Sequence, residues 1–118
     1  MAIKSYQELD VWKCSMDLLD EIYAITKRFP ADERFVLVSQ MRRAALSVPS
    51  NIAEGYARKH RGEYVHHISI AFGSLCELET QFIVCGRQKY IKKEEAKKTW
   101  DLIQRTGMML NKLLSSLS

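Results

Sequence analysis

The chain has 118 residues, 5 glycines, 2 prolines, three cysteines and a formal net charge of +4. This length suffices for one domain with one core, and the scarcity of Gly and Pro argues against a turn-rich all-β fold. An odd number of cysteines without a C-x-x-C pair indicates neither a disulfide framework nor a zinc ribbon. No apolar run approaches the roughly 20 residues that span a bilayer. The start also lacks the apolar segment of a secretory signal. We therefore expect a cytoplasmic protein with no membrane contact.

The first predicted helix covers about residues 8–28 and carries two apolar stripes at helical spacing. One stripe contains Trp12, Met16, Leu19 and Tyr23, and the other contains Val11, Leu18, Ile22 and Ile25. This is more apolar surface than contact with two neighbouring helices requires. Phe29-Pro30 ends the helix, because a residue before proline avoids the α region. The second stripe indicates a homo-oligomer.

The second predicted helix covers about residues 32–59, with Asp32 as its N-cap. Pro49 lies inside the periodic pattern and removes a backbone amide, so we expect a kink there. The alternative is a break into two helices at Val48-Pro49. Small residues on both sides of the proline would let another helix approach closely.

Helices three and four are predicted at about residues 62–87 and 92–117. Their apolar residues recur at steps of three and four, the period of left-handed supercoiled packing. Short connections join all four segments. The sequence therefore predicts a single all-α domain over residues 1–118, an up-down-up-down antiparallel four-helix bundle.

Polar side chains also recur at steps of three and four along helix two, which places them on one face. This face can be interpreted as a ligand site or as a structural polar network that fixes the register of helices or subunits. We favour the network, to which helix three would add Glu77. Its predicted members are Gln40, Arg43, Ser47, Asn51, Glu54 and Glu77.

A basic segment connects helices two and three, and further lysines lie on helix four. Clustered cations bind the phosphates of nucleic acid, and a nearby tyrosine offers a stacking surface. The alternative is a solvated turn that only needs polar residues. The predicted nucleic-acid-binding residues are Arg58, Lys59, His60, Arg61, Lys97 and Lys98.

Two enzyme hypotheses find little support. Glu63 and His66 match the Glu-x-x-His spacing of di-iron bundles, but the second such pair is absent. A thiol enzyme would need Cys76 or Cys85 activated by a histidine, and no motif supports that pairing. All three cysteines are expected to be small buried hydrophobes. We predict no catalytic residue, metal, cofactor or small-molecule substrate.

Several motifs resemble those of the bacterial four-helix bundle proteins related to the proteins encoded in intervening sequences of 23S ribosomal RNA genes. They are Leu9-Asp10-Val11-Trp12-Lys13, Arg42-Arg43-Ala44-Ala45, Ser47-Val48-Pro49-Ser50-Asn51-Ile52-Ala53-Glu54-Gly55 and Ala71-Phe72-Gly73-Ser74-Leu75. The family usually has Ile where this chain has Val48. The resemblance implies a ring-like homopentamer and an association with ribosomal RNA or other nucleic acid, and it brings no catalytic residue.

The sequence thus leads to two functional hypotheses. The first is a non-enzymatic, homo-oligomeric bundle that binds structured RNA or DNA through a basic surface. The second is a protein-interaction scaffold subunit with no nucleic-acid binding. Charge reversal in the basic segment distinguishes them.

Overall fold

The computed structural model describes residues 5–118, and within that range the chain is helical without a strand. A short 3-10 turn at Tyr6–Glu8 precedes four long helices, α1 (Asp10–Thr26), α2 (Ser39–Tyr56), α3 (Arg61–Arg87) and α4 (Lys93–Leu117). The predicted all-α four-helix bundle is confirmed. The bounds of α1, α3 and α4 lie within two residues of those expected.

The helices pack in a closed antiparallel order, α1 on α2, α2 on α3, α3 on α4 and α4 back on α1. The bundle measures 43 × 25 × 21 Å, and the α2–α3 pair makes the most extensive contact. The centre is formed by apolar side chains from all four helices that are almost fully buried. They include Leu18, Ile22, Met41, Val48, Ile52, Ile68, Leu78, Ile103 and Leu110.

Helix α3 is long and apolar enough to cross a membrane by length and composition alone, with a mean hydropathy of 1.4 in its most apolar window. Its stripe of buried residues, from Ile68 through Leu78 to Cys85, packs on the neighbouring helices, and 39% of the apolar window is buried within the bundle. Ile70, Ile83 and Val84 of the same helix are exposed.

The start of helix two differs from the prediction. A 3-10 turn at Ala31–Glu33 follows Pro30, which takes the N-cap position that we assigned to Asp32. A π-helical turn at Arg34–Val38 comes next, and regular α-helix begins only at Ser39. The π-helical turn contains a run of four apolar residues, of which Leu37 and Val38 are buried and Phe35 and Val36 are exposed. Successive side chains turn by about 100° in a helix, so they cannot all face the core.

Pro49 lies inside α2 and is buried, and the helix continues without interruption to Tyr56. The alternative of two helices divided at Val48-Pro49 is therefore wrong. Val48 is fully buried beside the proline. This packing can offset the loss of one backbone hydrogen bond, which costs about 3 kcal/mol for an interior proline.

Helices α2 and α3 pack tightly against each other at Gly55. A Cβ atom at this position would lie 2.8 Å from His67 Cβ, 3.0 Å from Tyr64 Cδ1 and 3.3 Å from the Tyr64 carbonyl oxygen. Real Cβ atoms essentially never approach another carbon within 3.0 Å, and the backbone of α3 cannot rotate away as a flexible side chain can. The absence of a side chain at Gly55 therefore sets the distance between the two helices.

We predict that Gly55→Ala lowers the free energy of unfolding by about 1–2 kcal/mol, since the overpacking strain outweighs the better helix propensity of alanine. The matched control is Gly73→Ala in α3, where an added Cβ meets no atom within 4 Å. This control should raise stability by about 0.5–1 kcal/mol. Urea unfolding followed by circular dichroism measures both. Equal stabilisation by the two substitutions would contradict the close approach at Gly55.

Candidate functional site

A chain of polar side chains crosses the contact between α2 and α3. Ser47 Oγ lies 2.8 Å from Ser74 Oγ, and Asn51 Nδ2 donates to the Ser47 carbonyl oxygen at 2.9 Å and to Ser47 Oγ at 3.0 Å. His67 Nδ1 lies 3.1 Å from Asn51 Oδ1 and 3.6 Å from Glu54 Oε2. Each of these five side chains thereby gains a partner, as partly buried polar groups require.

The structure places three of the predicted network residues in this chain, namely Ser47, Asn51 and Glu54. The other three, Gln40, Arg43 and Glu77, are exposed and form no hydrogen bond or ion pair with it. Two residues of α3 that the sequence analysis did not assign to the network, His67 and Ser74, complete it. They are one heptad apart, so the 3.5-residue period of α3 already places both on the same face.

The two adjacent histidines of α3 lie in different environments. His67 is bonded within the polar network, whereas the neighbouring His66 is exposed and lies edge-on to it, with ring centroids 5.8 Å apart. Over residues 5–118, no group of three or more His, Cys, Asp or Glu side chains is arranged to hold a metal ion. Glu63 is exposed on the first turn of α3.

The cysteines occupy three environments. Cys85 is fully buried, its thiol donates to Met41 Sδ at 3.4 Å, and burial raises the pKa of that thiol to about 12. Cys14 is also buried, with Sγ 3.3 Å from Thr106 Oγ1. Cys76 is exposed, so the expectation that all three are buried is wrong for this residue. Cys85 stays protonated at neutral pH and is a poor nucleophile, because the thiolate is the reactive form.

The basic connection between α2 and α3, which we call the basic turn, contains Arg58, Lys59, His60 and Arg61. All four side chains are exposed, and none forms an ion pair with a residue in the described range. Beside the turn, the rings of two tyrosines meet edge to face with centroids 6.2 Å apart. One of them, Tyr64, is partly desolvated, and this burial raises its pKa. The turn thus presents its cations next to an aromatic pair.

Lys97 and Lys98, the other two predicted nucleic-acid contacts, lie far from the basic turn. They belong to the first turns of α4, at the opposite end of the bundle, and α3 alone spans about 40 Å between the two ends. Lys97 pairs with Asp101 at 3.2 Å, and Lys98 pairs with Glu21 at 3.5 Å. On one chain, the six predicted cations therefore do not form a continuous surface.

A groove between α1 and α2 was not foreseen from the sequence. It has a volume of about 670 Å³ and contains Tyr23, Phe35 and Leu46, three apolar side chains that are exposed. Phe35 is 86% exposed, the highest value among the large apolar residues. The guanidinium of Arg42 lies 4.5 Å from the centre of the Tyr23 ring. The run of four apolar residues after Arg34 was the available signal, since a helix cannot bury all of them.

Comparison with known proteins places the chain in a family. Residues 7–112 match the sequence profile of the family described as 23S rRNA-intervening sequence protein. The chain belongs to this family. The resemblance found in the motifs around Asn51 is thereby confirmed, and no curated protein matches the chain.

A solved structure also has the same fold as this 23S rRNA-intervening sequence protein. It is the crystal structure of a protein of unknown function from the S23 ribosomal protein family of Bacteroides thetaiotaomicron. The two chains are 21% identical with a TM-score of 0.82, over 89% of this chain and 95% of the other. At that identity the likeness shows a shared fold.

The polar network gives a stability prediction. Asn51→Ala removes the amide that bonds Ser47 and leaves His67 Nδ1 without its closest partner, so the free energy of unfolding should fall by about 1–2 kcal/mol. Gln40→Ala, on the same helix but exposed, is the control and should stay within about 0.5 kcal/mol of the native chain. Chemical denaturation of the three proteins provides the comparison. Indistinguishable stabilities would show that the network contributes nothing.

Proposed function

We propose that this member of the family is a non-enzymatic subunit that assembles with copies of itself and binds structured RNA through its basic turn. The observation that carries the proposal is the state of the cations in that turn. Arg58, Lys59 and Arg61 are exposed, form no ion pair within residues 5–118 and lie beside a pair of tyrosine rings, whereas Lys97 and Lys98, the other predicted contacts, are paired with carboxylates. Cations without a carboxylate partner are free to neutralise phosphates.

The position of the turn supports binding to a double-helical backbone. The turn lies at one end of the bundle, between the last residue of α2 and the first of α3, where it projects from a rigid support. Contacts of Lys and Arg with phosphates release counterions and supply most of the sequence-independent affinity for nucleic acid. The family name, which refers to 23S rRNA, makes structured ribosomal RNA the first ligand to test.

Self-assembly is supported by the exposed apolar side chains of the groove. Phe35, Leu46 and Tyr23 line the same depression, and a contiguous apolar surface of this kind on a small protein marks an interaction site. Arginine and aromatic residues are also enriched at protein interfaces. Copies joined in this way would bring several basic turns together, so that weak phosphate contacts add by multivalency.

The environment of one candidate nucleophile, Cys85, supports a non-enzymatic role. The Cys85 thiol is buried, and burial raises its pKa to about 12. The two candidate bases are placed elsewhere, since His67 is bonded within the polar network and His66 is exposed on the surface. Catalysis by a thiol needs a lowered thiol pKa and a base within hydrogen-bond reach. Cys85 has the opposite properties.

Reversing the charges of the basic turn should weaken RNA binding. The slope of log K against log salt is negative for such a complex. We expect the triple variant Arg58→Glu, Lys59→Glu and Arg61→Glu to reduce the magnitude of this slope by about 2–3 if each cation contacts one phosphate. The titration uses a fluorescent hairpin fragment of 23S rRNA. The control variant Arg87→Glu, Lys92→Glu and Lys93→Glu makes the same charge change at the other end of the bundle.

The control should retain most of the affinity of the native chain. Equal losses in both variants would show that binding follows net charge rather than the turn. A native chain that fails to bind the hairpin at low salt, with its oligomer intact, would favour the scaffold hypothesis.

Assembly should depend on the groove. Phe35→Ser removes the most exposed apolar side chain of the groove and should shift the particle mass toward the monomer at micromolar concentration. Met108→Ser on α4 is the matched control, because Met108 is 73% exposed but lies outside the groove. Light scattering coupled to size-exclusion chromatography reports the mass. Loss of assembly in both variants, or in neither, would contradict a role specific to the groove.

A further inference from the structure

The groove between α1 and α2 is strongly cationic. It adjoins a second depression between the same helices, and the two share Arg34, Val38 and Arg42 in their linings. Together they contain four cations, Lys27, Arg34, Arg42 and Arg43, and no acidic residue. None of these cations forms an ion pair with any residue from 5 to 118. The apolar groove is thus bordered by positive charge that the chain itself does not neutralise.

Arg42 is held in place by neutral groups. Its Nε donates to Thr26 Oγ1 at 3.0 Å, and its guanidinium stacks over Tyr23. Neither contact removes the positive charge, and both restrict the side chain before any partner arrives. A fixed guanidinium loses less conformational freedom on binding a carboxylate than a mobile one does.

The other side of α1 carries the complementary charge. A cleft of about 480 Å³ between α1 and α4 is lined by four acids and two bases around the half-buried Leu102. Glu21 and Asp101 are paired with lysines of α4. Asp17, Asp20 and Arg105 are exposed and form no ion pair within the described chain. The four acids of the cleft outnumber its two bases, so the cleft keeps a net negative charge next to an apolar residue.

We propose that the cationic groove of one copy binds the acidic cleft of the next copy, so that the chain assembles head to tail. This inference rests on the proposed self-assembly and names the surfaces that form it. An isologous contact would place the groove against itself and bring four unpaired cations of each copy together, which is electrostatically unfavourable. The heterologous contact joins Arg34 and Arg43 to Asp17 and Asp20, and it brings Phe35 toward Leu102.

A charge exchange tests the pairing. Arg34→Glu with Arg43→Glu, and separately Asp17→Arg with Asp20→Arg, should each raise the concentration of half-assembly by about tenfold or more. All four substitutions in one chain restore opposite charges at every contact and should return assembly to near the native level. The substituted positions are exposed, and circular dichroism checks that each variant is folded. Mass is measured by sedimentation equilibrium.

The outcomes separate this inference from the proposed function. Failure of the fourfold variant to assemble, while the native chain assembles and Phe35→Ser does not, overturns the head-to-tail pairing and leaves the proposed self-assembly intact. A native chain that is monomeric at high micromolar concentration overturns both. If Arg34→Glu with Arg43→Glu reduces retention of the 23S rRNA hairpin without changing the mass, the groove binds phosphate and the pairing is overturned.

Discussion

The close approach of α2 and α3 at Gly55 is the constraint on which the rest of the structure depends. With no side chain at that position, the helix surfaces meet, and Ser47 comes within hydrogen-bond distance of Ser74 on the other helix. The polar side chains of the network can then bond to one another across the contact. At a wider separation they would bond to water instead. The same contact lies three residues before Arg58, so it fixes the basic turn at the end of the bundle. The close contact at Gly55 thus determines both the packing of α2 on α3 and the position of the basic turn.

The opposite end of α2 shows how a local conflict produces an exposed surface. The run Phe35-Val36-Leu37-Val38 is too apolar for a surface turn and too long for one face of a helix. The π-helical turn brings Leu37 and Val38 into the core and leaves Phe35 outside. Irregular helical turns of this kind often occur at functional sites. Here the irregular turn creates the apolar part of the groove.

Periodicity predicted the bundle, the helix order and three members of the polar network, because each depends on which residues share a helix face. It could not predict which charges meet across helices. Lys97 and Lys98 follow a basic pattern, but packing brings Glu21 of α1 to Lys98, and Asp101 neutralises Lys97 on the same helix. Arg43 follows the polar pattern of Asn51, yet it borders the groove instead of the network. The π-helical turn was missed for a related reason, since burial of Leu37 and Val38 among other helices decides it.

The distribution of ion pairs connects the two proposed activities. Two cations near the α1–α4 contact are paired within the chain, Arg28 with Glu95 and Lys98 with Glu21, whereas the cations at both ends of α2 form no ion pair within residues 5–118. Head-to-tail assembly would cover the cations at the start of α2 with the carboxylates of the next copy. The basic turn, at the far end of the same helix, would remain uncovered and would be repeated once per copy in the assembly. RNA affinity would then depend on the groove although the groove touches no RNA, because an assembly holds several turns on one ligand and a monomer holds one.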